Sequence, residues 1–468
     1  MLLVFDCGTM KKMYKTYQKP VVTASVDVKV PPPKISKFFI FIVSILSKVY
    51  LYILFGFAKI LLRGDDILFD FFRRTLSKES RGIVAFRHPD GREPQLLSWF
   101  FLYRLRALAA KKRIRFATRP HAIFVYGYEV VRWGGWVARL FMPNLGAIPI
   151  HHTKLDSKGM ARIYNSAVDG PYPLALAPEG QVSYSTDTVP RLEHGVIRIG
   201  FHAAELLAVK QQAVNENCAF EILPLSVHFR YDNYGKSAMF KLLSKTEKLC
   251  NIINNNISFN ERLELVRERI LEINEERYNI KKEDNVPFKD RLEKVIETAL
   301  ETAEQILGIK KEGDFFARLY KVRHDCWDRI FIPGYDNLKK VSMLKRSVMD
   351  IKAGEGWYAS RHQELADFGW YFKCLIPKDN DPLHLKVEYV QNLFDFASRT
   401  MGGAFSQRIN IQPAKVIIKA APPINLSERL SLYKTDRKTA VLDAVSDLEK
   451  AYLNCILETG AETQGENY

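Results

Sequence analysis

The sequence predicts an α/β protein. A mostly parallel central sheet is flanked by helices, preceded by a membrane-associated helix and interrupted by a large helical insertion. Three observations predict this. Short apolar runs alternate with amphipathic helical segments from about residue 81, the order that builds a parallel sheet. A long apolar stretch, Phe38–Leu62, interrupted only by two lysines, precedes them. A strand-like run, Ala414–Lys419, returns only after a long stretch of helical periodicity. The boundaries that follow are a basic tail over 1–35, a membrane-associated segment over 36–80 and an α/β domain over 81–240. A helical insertion covers 241–411, and a closing strand and helix cover 412–468.

Composition bounds the classes. The 468 residues are 47% hydrophobic and 26% charged, which excludes a disordered or collagen-like chain. The six cysteines contain no C-x-x-C pair, which speaks against a disulfide framework or zinc ribbon and for a reducing compartment. Charge is unevenly placed. Residues 1–140 carry 25 Lys and Arg against 9 Asp and Glu, whereas residues 141–468 carry 44 of each. A cationic surface on one part of the molecule calls for an anionic partner, nucleic acid or membrane.

Phe38–Leu62 is 25 residues of almost continuous apolar sequence, long enough to cross a bilayer. If it is one helix, Lys37, Ser44, Lys48 and Lys59 share a narrow stripe of about 60° on an otherwise apolar cylinder. That pattern suits a helix lying in the interface, or one spanning with its lysines against protein. Pro31-Pro32-Pro33 ends any structure of the tail before it. Asp66–Arg74 forms a second, short amphipathic piece. In the α/β region, strands are expected at Gly82–Phe86, Ala122–Val125, Leu145–Ile150, Pro173–Ala177 and Phe220–Val227. Helices are expected at 94–110, Lys158–Val168 and His194–Val209. The insertion opens with charged helices, Asn260–Arg277 and Phe288–Leu307. The chain closes with a helix over Thr439–Leu457 and a polar, loose tail after Glu458.

Ligand chemistry in such sheets gathers at the carboxyl ends of the strands, and two motifs lie there. Arg87-His88-Pro-Asp90-Gly-Arg-Glu93 sets a histidine beside two acids. A carboxylate that orients the ring and stabilises the imidazolium lets it take a proton from a hydroxyl near neutral pH. Pro178-Glu179-Gly180 follows a buried strand; the carboxylate can bind hydroxyls and the glycine admits close backbone approach. His151, His152 and Asp156 do not make a metal site, because strand alternation turns the two histidines apart. The cluster Lys111–Arg115 comes without any nucleic-acid module, so a solvated or lipid-facing patch is expected and nucleic acid is not.

Taken together, these motifs resemble the glycerolipid acyltransferases related to lysophosphatidate acyltransferase. The first block, His88 to Glu93, matches that family's His-x4-Asp with Glu in place of Asp. The second matches Gly146-Ala-Ile-Pro-Ile-His-His152, with His152 where the family has Arg. The third matches Ala177-Pro-Glu-Gly-Gln-Val-Ser183, with Val182 for Arg, and the fourth Ile222–Leu225 around Pro224. Val416–Ile424 is similar to the closing strand. The resemblance covers residues 80–235 and 412–458. It implies a membrane-associated O-acyltransferase on the cytoplasmic face. An acyl chain would pass from acyl-CoA or acyl carrier protein to a lysophospholipid hydroxyl, without metal or organic cofactor. His88 is then the general base and Glu93 its orienting acid. Arg87, Gly146, His152, Lys154, Pro178, Glu179 and Gly180 are the expected substrate-binding residues. Replacement of both family arginines points away from a simple glycerol phosphate acceptor. An amine-bearing or other non-glycerophosphate lipid acceptor, and a catalytically silent membrane adaptor on the same fold, are the alternatives.

Overall fold

The computed structural model describes residues 22–151, 156–214, 218–253, 257–282, 285–372, 376–403 and 408–464. The chain divides into two compact units, one of α/β character (Val30–Met239, Asn380–Glu388, Ile411–Tyr468) and one dominated by helices (Met1–Lys29, Phe240–Asp379, Tyr389–Asn410). Among the described residues the strands are, in chain order, β1 (Ser25–Val26), β2 (Lys59–Arg63), β3 (Ser80–Phe86), β4 (Ile123–Gly127), β5 (Ile148–Ile150), β6 (Leu174–Leu176), β7 (Ala219–Arg230), β8 (Phe331–Ile332), β9 (Lys415–Ala420) and β10 (Ile424–Asn425).

The α/β unit is built on one sheet in the order β2-β9-β7-β3-β6-β4-β5, with β10 also paired to β7. It is parallel except where β9 and β10 meet β7. The expected closing strand therefore pairs with the expected fourth-block strand, Ser226 opposite Lys419 and Val227 opposite Ile418, across about 190 residues of sequence. Paired residues in register share a sheet face, and successive residues alternate. One face carries Ile83, Ala85, Phe220 and Ile222, which form a core with the helices Gly195–Val214 and Arg437–Gln464. The other carries Gly82, Val84, Phe86 and Phe229. There Gly82 leaves room for Phe71, since a Cβ at that position would lie 3.0 Å from the Phe71 ring and 2.4 Å from the Glu221 carbonyl.

The apolar stretch is not one helix. Ser36 accepts from the Phe39 N–H and starts α1 (Lys37–Phe55). Gly56, at φ +61, ends it. Lys59–Arg63 is then the edge strand β2, parallel to β9 with Lys59 beside Lys415 and Leu61 beside Ile417. The reason is pairing with the β-branched run Val416–Ile418 of β9 at the sheet edge, which a continued helix would forgo. Lys59 consequently leaves the cationic stripe. The shortened α1 is still long and apolar enough to cross a membrane by length and composition. The next helix, α2 (Asp65–Leu76), has acids in its first turn and Arg73 and Arg74 in its last, matching the helix dipole, and buries Leu68, Phe69, Phe71 and Phe72.

Other boundaries also move. The expected 94–110 helix is α3 (Glu93–Trp99), a π-helical turn over Phe100–Leu105, then Arg106–Lys111. The last helix runs on to Gln464, six residues into the expected loose tail. Residues 22–29 of the expected basic tail belong to the helical unit, where β1 pairs parallel with β8. Residues 380–388, expected inside the helical stretch, belong to the α/β unit. Buried polar contacts hold them there: His384 Nε2 lies 2.6 Å from Asp187 Oδ2, and the Glu388 carboxylate accepts from the Thr186 N–H at 3.0 Å.

The helical unit packs Phe288–Leu307 and Phe315–Ile330 against α4 (Met343–Tyr371). Buried arginine–glutamate pairs, each through two hydrogen bonds, tie Phe288–Leu307 to its neighbours: Arg291 to Glu275 of the helix Phe259–Arg277, and Arg318 of Phe315–Ile330 to Glu304.

Candidate active site

β3 delivers two consecutive side chains to opposite faces of the sheet. His88 follows Val84 and Phe86 on the α1 and α2 side, in edge contact with the Phe86 ring. Arg87 follows Ala85 on the other.

The loop after β3 folds back on itself through Glu93. As the first residue of α3, Glu93 is wholly buried. Its Oε1 accepts from the Asp90 N–H at 2.8 Å and its Oε2 from the Gly91 N–H at 2.9 Å. That second oxygen also lies 2.6 Å from His88 Nδ1. A carboxylate held by two backbone donors remains a hydrogen-bond acceptor, so it fixes the tautomer with the proton on Nδ1 and leaves Nε2 as the basic nitrogen. Nε2 has no hydrogen-bond partner among the described residues, and 17% of the side chain remains exposed. Burial pulls the imidazole pKa down, but the bond to Glu93 and the charges of Glu93, Glu179 and Asp90 outweigh it. The result lies above the ordinary 6.5. Gly91, at φ +98, makes the tight turn possible, and Val182 packs over it.

Of the two acids near His88, Glu93 takes the ring. Asp90 is engaged instead by Arg92, through Arg92 Nη2 at 2.8 Å and a second, shorter contact from Nε. Arg92 is nearly buried and sits over the Phe55 and Phe229 rings, 4.7 and 5.6 Å from their centroids. It also donates to the Leu54 carbonyl in the last turn of α1. No reading of the motif singled out Arg92. The signal was a cation one residue before the orienting acid, without a visible partner until α1 folds against the loop.

The expected first and third blocks meet. The Ser183 N–H donates to the His88 carbonyl at 2.9 Å. Arg87 Nε donates to Glu179 Oε1 at 3.0 Å, and both side chains are fully buried. The other Arg87 nitrogens donate to the carbonyls of Ser185, Thr186 and Thr188. The sequence led us to expect Arg87 and Glu179 as substrate contacts; both side chains are instead fully buried against each other. They are a sealed pair that anchors the 178–188 loop, because the guanidinium fork is fully used inside. Gly146 is likewise enclosed. At φ +78 it lies beneath Ile35, which a Cβ would approach to 2.8 Å. Pro178 is buried and its carbonyl accepts from the Glu193 N–H, while Gly180, at φ +72, stays exposed on the same loop. His152 and Lys154 lie outside the described residues. His151 stacks on Tyr128, centroids 4.4 Å apart. Among the described residues no group of three His, Cys, Asp or Glu side chains is placed to hold a metal ion.

No protein-family model matches the chain, and no curated protein matches its sequence.

Proposed function

We propose that the protein is a membrane-associated O-acyltransferase of the glycerolipid acyltransferase type. The observation that carries this reading is the His88–Glu93 dyad, with Nδ1 2.6 Å from a buried, doubly held carboxylate and Nε2 unengaged. In this reading Nε2 takes the proton of the acceptor hydroxyl as its oxygen attacks the thioester carbonyl. Glu93 stabilises the imidazolium formed. Collapse of the tetrahedral intermediate breaks the C–S bond, and the imidazolium returns the proton to the departing thiolate, leaving an ester and a free thiol. The step needs no metal or organic cofactor. A positioned base of this kind contributes about 10²–10⁴-fold.

Membrane association rests on α1. Ile40, Ser44, Leu51 and Phe55 form its buried face, while Phe38, Phe41, Ile45, Leu46, Val49 and Ile53 are exposed. An exposed apolar face of this extent on a helix fits a lipid environment. Arg119 reaches Ser44 on the buried side. The cationic first third fits an anionic, cytoplasmic leaflet. The acceptor is a lysophospholipid or related lipid, and the donor acyl-CoA or acyl carrier protein. The long helical stretch is read as an insertion within the α/β domain. Val182, in the family's arginine position, packs on Gly91 beside the dyad, which supports an acceptor other than glycerol phosphate.

The test is purified full-length protein with labelled acyl-CoA and a panel of lysophospholipids, amine-bearing lipids and glycerol 3-phosphate. Transfer to lysophospholipid that is lost in His88→Ala supports the reading. Transfer to an amine favours the alternative acceptor. No transfer to any acceptor by folded, membrane-bound protein makes the chain an adaptor on this fold.

A further inference from the structure

The first half of α4, in the helical unit, has two unlike sides. Its inner side is fastened. Ala353 is fully buried with Ala24 and Leu338, and Met349 packs on that cluster. Arg346 donates to the Ala24 carbonyl at 2.9 Å, and the Ala24 N–H donates to Asp350 at 2.8 Å. These contacts fix the rotation of the helix. At 100° per residue they send Leu344, Val348 and Ile351 to the opposite side, with Met343 between the two sides at the start of the helix.

Among the described residues nothing covers that apolar outer side: Leu344 is 80% exposed, Ile351 64% and Val348 47%, and Met343 beside it 88%. Side chains of this size, left half or more exposed at a helix start, add little to the packing of the unit itself. The stripe ends at Glu355, which pairs with Arg329.

Lysines flank it. Lys339 and Lys340 lie in the turn just before α4, and Lys345 and Lys352 on one side of the stripe. All four are exposed, and none is paired with a carboxylate among the described residues. The acids nearby are engaged elsewhere: Asp336 by Lys29 and Asp350 by Arg346. The start of the helix adds its own partial positive charge. An apolar ridge of about two turns, bordered by exposed cations that no carboxylate among the described residues pairs, Lys345 lying 5.4 Å over the Tyr335 ring, matches the boundary of an anionic bilayer, where acyl chains take the ridge and headgroups the lysines. A protein partner would need acids arranged around a complementary groove; a lipid surface supplies both features without any special shape.

We propose that Met343–Ile351 is a second lipid-binding element, a shallow in-plane foot selective for anionic membranes. It rests on observations separate from those for α1 and the dyad.

Hydrogen exchange of the full-length protein tests this, read peptide by peptide. The first N–H groups of a helix lack intrahelical partners and exchange readily, so covering this end has a clear signature. With vesicles of phosphatidylcholine containing about one-third phosphatidylserine, exchange over residues 343–351 should slow about tenfold. Each lysine at such a surface strengthens binding about fivefold. The slowing should be much smaller with pure phosphatidylcholine, and should fade as salt rises. Leu344→Glu, at an exposed position, should abolish it while leaving exchange in the buried inner side unchanged, as should Lys345→Glu with Lys352→Glu. Peptides from α1 are read in the same samples. Protection of 343–351 without protection of α1 upholds the foot and removes the α1 reading. Protection of α1 alone overturns the foot. Equal slowing by neutral and anionic vesicles overturns the anionic selectivity. Protection conferred only by an added protein, and by no vesicle, overturns the lipid assignment.

Discussion

Arg92 donates to the carbonyl of Leu54 at 3.3 Å, so the end of the apolar helix and the loop of the His88–Glu93 dyad share one buried guanidinium. Arg92→Leu keeps the apolar stem but leaves Asp90 buried without its cation. Removing one partner of a buried pair costs about 3–5 kcal/mol, which urea unfolding will show as a lower midpoint. Arg92→Leu with Asp90→Asn should recover part of the loss. If Arg92→Leu alone is as stable as the wild type, the pair does not hold the loop.

The dyad makes a kinetic prediction. His88→Ala should lower transfer about 10²–10⁴-fold, with circular dichroism unchanged, since the ring is at the edge of the core. Glu93→Gln should lower it less, because the amide still meets the ring but no longer balances the imidazolium. Steady-state rates on folded variants check both.

The raised pKa of His88 sets a pH dependence. The base works only when neutral, so kcat/KM should fall on the acid side with an apparent pKa above 6.5. Glu93→Gln should move that limb downward. Stability has the opposite sense. Because the folded pKa is raised, the pair's contribution is complete below about 6.5 and is lost as pH rises through the folded value. An NMR titration of the ring reads the pKa directly; a value below 6.5 would contradict the geometry.

Arg87 and Glu179 are buried against each other, so their substitution is expected to act through the fold. Arg87→Met should cost about 3–5 kcal/mol by stranding a buried carboxylate, seen as a drop in Tm. Any change in KM for lipid acceptors should be no larger than the loss of folded protein explains. A selective rise in KM at unchanged Tm would restore the substrate role expected from the sequence.

Membrane attachment through α1 can be tested without damaging the sheet. Truncation at Gly64 would remove β2, which pairs along β9. Truncation at Gly56 would keep it. More gently, Phe38→Glu, Ile45→Glu and Ile53→Glu alter only exposed positions. The triple variant should leave the membrane pellet for the soluble fraction with an unchanged Tm.

Much was determined by the sequence itself. Apolar runs ending in Arg87-His88 and Pro178-Glu179-Gly180 marked the strand ends. The spacing from His88 to Glu93 is a local matter, because one loop and the first turn of a helix bring the two together whatever the rest of the chain does. Even the long-range return of Lys415–Ala420 to β7 was legible, since a fully apolar strand core has nowhere to pair but a sheet. What the tertiary structure alone decided were choices between equal local options. Ile60, Leu61 and Leu62 suit a helix or a strand, and the open edge of β9 made them β2. Asp90 and Glu93 were both within reach of His88, and Arg92, held by α1, took Asp90 away. Arg87 was free to face substrate or core. The alternation of β3 and the four acceptors waiting on the inner face buried it. In each case the deciding partner lies far away in sequence, and its contribution exists only once the chain has folded.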